Sequence, residues 1–408
     1  MPGNWCWVSL SDVCNVARGG SPRPIKEYLT DDKNGINWIK IGDADKDGKY
    51  INSTKEKISP SGISKSRMVH KGDFLLTNSM SFGRPYILNI DGCIHDGWLV
   101  ISPIPKTYDP EFLYYLLSSG FAYSQFTEAA SGGVVSNLNS DKVGNSLFPL
   151  PPQSEQKRIV SELEKLFKAI RLIDNNKLLI RHNIEQIRSK ILELAISGKL
   201  VHQNTSDEPA IELLKRINPA YKPTDNRHYA NVPFEIPKSW CWTTLGRIGK
   251  WQSGATPSRM KKEYYGGDIP WLKTGDLNDG FIRNIPESIT SLALQETSVK
   301  LNPSGSVLLA MYGATIGKLG ILTTPATTNQ ACCACFSYNG VEQMYLFYFL
   351  LSHRSEFVNQ GGGGAQPNIS KDKIIETLIP IPPLNEQRRI VQAVRSIFSI
   401  LDRVVTDL

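Results

Sequence analysis

Pro151-Pro152-Gln153-Ser154-Glu155-Gln156-Lys157-Arg158-Ile159-Val160 opens the stretch on which the reading of this 408-residue chain turns. From Ile159, apolar residues follow at Leu163, Leu166, Ile170 and Ile173, then beyond Lys177 at Ile180, Ile184, Ile187, Ile191 and Leu194. The steps alternate four and three. That is the a/d seam of a coiled coil, because a 3.5-residue repeat keeps one stripe facing a partner helix. Ser154 is expected to cap the helix behind two prolines, Glu155 suits its first turn, and Gly198 is expected to stop it. From Ile159 to Leu194 such a helix runs roughly 50 Å at 1.5 Å per residue, long enough to be a spacer as well as a partner surface.

The length predicts two or three domains. No apolar run approaches the eighteen or so residues of a membrane span. The opening Met1-Pro2-Gly3-Asn4-Trp5 has neither a basic n-region nor an apolar h-region, so the expected location is the cytoplasm. Seven cysteines (Cys6, Cys14, Cys93, Cys241, Cys332, Cys333, Cys335) show no framework spacing and are expected as free thiols. Cys332-Cys333-Ala334-Cys335 has no second cluster to complete a zinc site and reads as a buried strand. The net charge of +7 is unevenly spread: Lys+Arg against Asp+Glu is 15 and 15 over 1–150, 14 and 10 over 151–230, and 17 and 14 over 231–408. Composition alone therefore points only weakly to polyanions.

The chain is written twice. Trp5-Cys6-Trp7, Leu10, Gly19 and Pro22 recur as Trp240-Cys241-Trp242, Leu245, Gly254 and Pro257. Trp38-Ile39-Lys40-Ile41-Gly42-Asp43 recurs as Trp271-Leu272-Lys273-Thr274-Gly275-Asp276, and Gly72, Leu75 and Leu76 as Gly305, Leu308 and Leu309. Pro149-Leu150-Pro151-Pro152, Glu155-Gln156 and Arg158-Ile159-Val160 return as Pro380-Ile381-Pro382-Pro383, Glu386-Gln387 and Arg389-Ile390-Val391. The offset drifts only between 235 and 231 residues, which fits two copies of a domain rather than a solenoid of 20–50-residue repeats.

Within a copy, short β-branched and aromatic runs (Trp38 to Ile41, Asp73 to Thr77, Tyr86 to Ile90) read as strands, and Glu111 to Leu117 and Gln343 to Leu351 as helices. Gly-rich turns follow at Ser131-Gly132-Gly133 and Gly361 to Gly364. The expected organisation is a first domain over 1–150, a central helix over 151–200, a Pro-rich linker over 201–239 with a short helix from Ala210 to Ile217, a second domain over 240–380, and a short C-terminal helix over 381–408.

Asp43-Ala44-Asp45-Lys46-Asp47-Gly48 imitates a calcium loop, but Thr54 stands where a bidentate Glu is needed, so a hairpin turn is favoured. Gly313-Ala314-Thr315-Ile316-Gly317-Lys318-Leu319 resembles a phosphate loop with one residue too few between its glycines, and Leu follows Lys. With Phe82-Gly83-Arg84 in the first copy, it presents a cation on a glycine turn, which suits a DNA phosphate about as well as a plain solvated turn. The six histidines are scattered, and neither a His-Glu-x-x-His nor a Gly-x-Ser-x-Gly motif occurs. Methyltransferase cofactor and Asn/Asp-Pro-Pro-aromatic motifs are also missing. The residues support binding rather than catalysis.

Candidate DNA contacts are Arg23 and Lys26 with Tyr28 in the first copy, joined by Lys40, Lys65, Arg67 and Arg84. In the second they are Arg259, Lys261 and Lys262 interleaved with Tyr264 and Tyr265, and then Lys273 and Lys318. Such clusters are more often solvated faces, but their duplication favours a shared surface. Asn78, Ser79, Tyr312 and Gln366 are candidate base readers.

The Trp-x-Trp-x-x-Leu openings, the Gly-x-Ser/Thr-Pro turns, Gln366-Pro367-Asn368-Ile369-Ser370, the doubled Pro-Pro-x-x-Glu-Gln-x-Arg-Ile-Val and the linker motifs Ile196-Ser197-Gly198-Lys199-Leu200-Val201 and Asp207-Glu208-Pro209-Ala210 resemble the specificity subunits of type I restriction-modification systems. The resemblance covers essentially the whole chain. It implies an α/β (α+β) fold of two repeated, mixed target recognition domains joined by long α-helices that form an antiparallel coiled-coil spacer. It further implies that each domain reads one half of a bipartite double-stranded DNA target. Two methyltransferase subunits and, for cleavage, a restriction/motor subunit would bind the helices. Catalytic and metal sites are then expected to be absent from this chain, with S-adenosylmethionine, ATP and Mg confined to the partners. Alternatives are the specificity module of a type II-like system, or a nucleic-acid enzyme with an unrecognised active site. The second seam (Ile390, Val394, Ile397, Leu401, Val404, Leu408) is half the length of the first. An antiparallel pair would therefore leave Ile159 to Ile173 open to another subunit or a second copy.

Overall fold

The computed structural model describes residues 1–78, 83–130, 138–219, 221, 232–361 and 368–408. It divides into two compact units, Met1–Asp174 and Asn175–Leu408. In the first, β1 (Cys6–Ser9) and α1 (Leu10–Val13) lead into β2 (Cys14–Arg18), β3 (Ile36–Ile39), β4 (Tyr50–Ile51), β5 (Glu56–Ile58) and β6 (Arg67–Val69). After these come β7 (Phe74–Thr77), β8 (Pro85–Leu88), β9 (Gly92–Ile94) and β10 (Trp98–Pro103). Then α2 (Pro110–Leu117), α3 (Gly120–Ala130) and α4 (Ser140–Gly144) precede β11 (Leu147–Leu150) and the long α5 (Gln153–Ile196).

One sheet runs β2-β10-β7-β8-β4, a second runs β5-β3-β9-β6, and β1 pairs with β11. The period of two along β7 explains how the layers stack. Phe74 and Leu76, with Ile87 and Leu99, face Leu113, Leu117 and Phe126 of the helices. Leu75, with Tyr86, Leu88, Trp98 and Val100, faces Ile39 and Ile94 of the second sheet on the other side. Both faces of the sheet are covered, so its central strands are apolar throughout rather than alternating.

The second unit repeats this plan. After α6 (Ala210–Ile217) come β12 (Cys241–Thr244), β13 (Gly249–Ser253), β14 (Tyr265–Leu272), β15 (Gly280–Ile282), β16 (Ser288–Ile289) and α7 (Ser291–Glu296). Then follow β17 (Val307–Ala310), β18 (Leu319–Leu322), β19 (Thr327–Thr328), β20 (Cys332–Ser337), α8 (Gln343–Ser352), α9 (Arg354–Gly361), α10 (Lys371–Glu376), β21 (Leu378–Ile381) and α11 (Leu384–Thr406). The order β13-β20-β17-β18-β15 matches the first large sheet, and Trp242 faces Pro380 as Trp7 faces Pro149. Cys332, Cys333 and Cys335 lie buried in β20, where desolvation raises their thiol pKa values.

The Pro-Pro-x-x-Glu-Gln motif has a concrete job. Gln156 is fully buried; its Oε1 accepts from the Asp109 N–H (2.6 Å) and its Nε2 donates to the carbonyls of Thr107 (3.0 Å) and Pro151 (2.8 Å). Gln387 does the same with the Glu342 N–H (2.8 Å) and the carbonyls of Gly340 (3.3 Å) and Pro382 (3.0 Å). An amide offers both donor and acceptor, so one side chain satisfies three buried backbone groups and fixes where the helix leaves the domain.

The copies differ where the linker lies. Trp7 is 53% exposed and Trp242 only 1%, because Phe234 packs on Trp242 (ring centroids 5.1 Å apart) and the Tyr221 hydroxyl donates to its carbonyl (3.0 Å). Gly340 (φ +100°) leaves room for Leu213 of α6, whose Cδ1 would lie 2.2 Å from an added Cβ. The matching residue of the first copy is Lys106 (φ +67°), which keeps the backbone turn but carries the Cβ that Gly340 lacks.

The carbonyl of Pro152 accepts from the N–H of Glu155 and of Gln156, so α5 starts before Ser154, which sits inside the first turn rather than capping it. Its end matches expectation, with Gly198 at φ +72° and Pro237 so close that a Cβ would meet it at 2.4 Å. The second half of α5 runs antiparallel to α11: Lys177 donates to the carbonyl of Leu408, and Arg188 pairs with Asp402 and stacks on Phe398 (4.9 Å). Ile184 and Ile191 are buried and Leu194 half-buried, while Ile180 and Ile187 stay exposed. The buried stripe runs through 184, 188, 191, 192 and 195, a 3.6-residue advance, because Leu192 and Ala195 belong to one core with Leu346 and Leu350 of α8 as well as Ile390 and Val394 of α11. Ile397 and Leu401 are half-buried and Val404 is exposed. In the first half of α5, Ile159 and Leu163 are half-buried, whereas Leu166, Ile170 and Ile173 are 60%, 52% and 54% exposed.

Candidate nucleic-acid interface

In each unit the turn before β10 or β20 meets the end of β2 or β13 in one hydrogen-bonded corner. In the first copy Gly19 N–H donates to the Trp98 carbonyl, Gly20 to Ile94, Trp98 to His95, His95 to Ile39 and Asn78 to Gly97. In the second, Gly254 donates to Cys332, Ala255 to Thr328, Cys332 to Asn329, Asn329 to Leu272 and Met311 to Ala331. All five bonds correspond. The shared glycine is required by contact: a Cβ on Gly19 would lie 2.2 Å from the His95 carbonyl oxygen, and one on Gly254 equally close to those of Thr328 and Asn329.

This frame carries different side chains. In the first copy the Ser21 hydroxyl donates to Asp96 Oδ1 (2.9 Å), the Gly97 N–H donates to His95 Nδ1 (2.9 Å), and His95 Nε2 stands 3.0 Å from the same carboxylate oxygen. With Nδ1 accepting, the ring proton sits on Nε2 and points at Asp96. Burial acts to raise the Asp96 pKa, but Ser21, His95 and Arg23 outweigh it and hold the carboxyl below its ordinary range. Arg18 Nε donates to the Asp96 carbonyl (3.2 Å), Arg67 Nε to the Arg18 carbonyl (2.7 Å), and the exposed Arg23 lies 3.5 Å from Asp96 Oδ2. Three arginines therefore converge on one corner. In the second copy Thr256 donates to Gln330 Oε1. Nearby, Arg259 lies over the rings of Tyr265 (4.3 Å) and Trp271 (5.0 Å) and bonds Glu287 (2.7 Å).

The other sequence-selected cations fall into three groups. Lys40 pairs with Glu56 (2.6 Å) and Lys273 with Glu287; both begin a turn closed by Asp43 or Asp276, whose carboxylate accepts from the lysine's own N–H (2.8 Å in each copy). These lysines are built into the fold. Lys65 rests on the Tyr28 ring (5.0 Å) and Lys261 on that of Tyr264 (4.7 Å), while Arg84 stacks on Tyr86 (5.4 Å). Lys26, Lys262 and Lys318 are exposed. Asn78 is buried, its Nδ2 donating to the Asp96 carbonyl (2.8 Å), so it supports the corner rather than facing outward. Tyr312 is exposed and bridges to Asn368; Ser79 and Gln366, like the turns at 131–133 and 362–364, lie outside the described residues.

Arg18, His95, Asp96, Thr256 and Gln330 were not selected from sequence. His95-Asp96-Gly97 aligns with Asn329-Gln330-Ala331 at the repeat offset without one identity, so a search for matching residues passes over them. The flanks differ as well, Cys93-Ile94 against Thr327-Thr328 and Trp98-Leu99 against Cys332-Cys333, so residue matching offered no signal there.

Two copies of one mixed α/β domain, each closed by a Pro-Pro and a clamped helix, define a duplicated architecture. The model of the type I restriction modification DNA specificity domain matches residues 2–181 and again 237–406, and the chain belongs to that family. The chain is 31% identical over 172 residues to the EcoR124I/EcoR124II specificity subunit of Escherichia coli, covering 41% of this chain and 42% of that protein. It is 36% identical over 161 residues to the MjaIX specificity subunit of Methanocaldococcus jannaschii, covering 38% and 37%. These matches span about two-fifths of each relative's length. A longer one, to the EcoBI specificity subunit of Escherichia coli, is 23% identical over 98% of this chain and 81% of the other. Among solved structures, the HsdS subunit from Thermoanaerobacter tengcongensis shares the fold (TM-score 0.62, 21% identity, covering 100% of this chain and 92% of that one). So does a chain from a study of complex assembly and conformational transition of the type I R-M system (TM-score 0.70, 20% identity, 100% and 93%).

Proposed function

We propose that this chain is the DNA-reading subunit of a type I restriction-modification complex, each copy reading one half of a bipartite duplex target. The observation that carries this is the doubled corner: one backbone frame, repeated bond for bond, bearing different polar side chains beside cationic ones. A reader of two different half-sites needs that combination, since phosphate contacts set register while base edges are told apart by local donors and acceptors. Arg18, Arg23 and Arg67 in the first copy, and Lys262 and Lys318 in the second, are assigned to phosphates. The family match and the specificity-subunit relatives support this role.

The chemistry is assigned to partner subunits: methyltransferase subunits, two in number, which would bring S-adenosylmethionine, and a motor-nuclease subunit, which would bring ATP and Mg. The exposed apolar face at Leu166, Ile170 and Ile173 is assigned to one of them, or to a second copy of the chain. The direct test is selection from randomised duplex DNA by the full chain. Enrichment of two short motifs at a fixed gap supports the reading. Enrichment of none, with binding at low salt only, would leave a non-specific polyanion binder.

A further inference from the structure

We propose that Asp96 and Gln330 are the equivalent base-reading positions of the two copies and account for part of their different sequence preference; this rests on the DNA-reading function above. They occupy the same place, 234 residues apart, in a frame whose five backbone hydrogen bonds coincide. Each is held by one oxygen to a hydroxyl from the equivalent turn, Ser21 to Asp96 Oδ1 and Thr256 to Gln330 Oε1. Anchoring one atom limits the rotamers of the side chain while leaving its other polar atom at the surface, the preorganised state a base contact needs. Asp96 Oδ2 has only the exposed Arg23 at 3.5 Å, and Gln330 Nε2 makes no hydrogen bond among the described residues.

The two side chains differ in what they can recognise. A carboxylate only accepts, so Asp96 selects a base with an exocyclic amino group in the major groove, cytosine or adenine. A primary amide donates and accepts side by side, so Gln330 matches adenine through N6 and N7. Arg18, Arg23 and Arg67 around Asp96 supply the positive charge that lets a carboxylate approach the duplex. The second corner, with a neutral reader, has its nearby Arg259 already paired to Glu287.

The test repeats the randomised-duplex selection with the full chain carrying Asp96→Asn or Gln330→Glu, substitutions that preserve size and the hydroxyl anchor. Asp96→Asn is expected to lower the preference at one base pair of one half-motif by about ten-fold, the other half and the gap remaining as in the unaltered chain. Gln330→Glu is expected to act on the other half alone, moving one adenine preference toward cytosine. Ser21→Ala, which leaves His95 as the remaining hold on Asp96 Oδ1, is expected to blur the same base pair as Asp96→Asn. An unchanged motif in both Asp96→Asn and Gln330→Glu overturns the assignment. Loss of all binding by variants whose circular dichroism and melting match the unaltered chain overturns it too, because the residues would then serve affinity and not choice. If the unaltered chain selects no bipartite motif, it is the DNA-reading function itself that fails.

Discussion

Trp7 and Trp242 are the same residue in two settings, and the difference measures what the linker contributes. Burial of the Trp242 indole against Phe234 removes apolar surface that Trp7 leaves in water. Trp242→Ala is therefore expected to destabilise the second unit by about 3–5 kcal/mol, and Trp7→Ala the first by about 1 kcal/mol or less, as read by denaturant melts of the two single variants. His353 supplies a pH prediction at the same scale. Its ring is half-buried against Phe349 (4.1 Å), and desolvation holds its pKa below the ordinary 6.5. The unfolded chain then binds the proton more readily, so the stability contributed by neutral His353 is present above 6.5 and is lost as pH falls through the lowered value. His353→Phe should flatten the decline in melting temperature between roughly pH 7 and pH 5.5; an identical slope would assign that decline to other groups. The lysines show where residue-level reading stopped short. Lys40 and Lys273 look like free cations in sequence because their partners, Glu56 and Glu287, are 16 and 14 residues away and meet them only through strand pairing.

At the level of elements, the glutamine clamps and the long helix carry separate consequences. Gln387→Leu would strand the Glu342 N–H and two buried carbonyls at the base of α11, each unpaired group costing about 1–3 kcal/mol. A loss of about 3 kcal/mol or more is expected in thermal unfolding, and Gln156→Leu should do the same at the base of α5. By contrast, Ile170→Lys on the open face of α5 is expected to leave the melting temperature of the isolated chain within about 2 °C, corresponding to less than about 0.5 kcal/mol. It should nevertheless weaken co-purification with the modification subunit, or abolish self-association in sedimentation. A variant that unfolds would show instead that this face is packed within the chain. The 4-3 pattern made α5 and its length legible from sequence, as the repeat did the unpaired stretch at Leu166 to Ile173. The seam's exact facing was not legible beyond Lys177. There α5 packs on α8 as well as α11, and a helix touching two neighbours buries Leu192 and Ala195, which a two-helix seam leaves out.

The whole molecule was readable as a duplication because identical residues recur where the fold needs them: Trp at the domain entrance, Gly at the crossing of Gly19 and Gly254, Gln at the helix base. What differs between copies escaped the same comparison. Asp96 and Gln330 are recognisable as counterparts only after the backbone bonds around them are aligned, since selection for two targets would keep the frame and change the tip. That one chain reads two separate half-sites is tested most directly by co-expressing it with a modification subunit and mapping modified adenines in host DNA. Two short motifs separated by a fixed gap are expected; a single continuous motif would overturn the two-half-site reading.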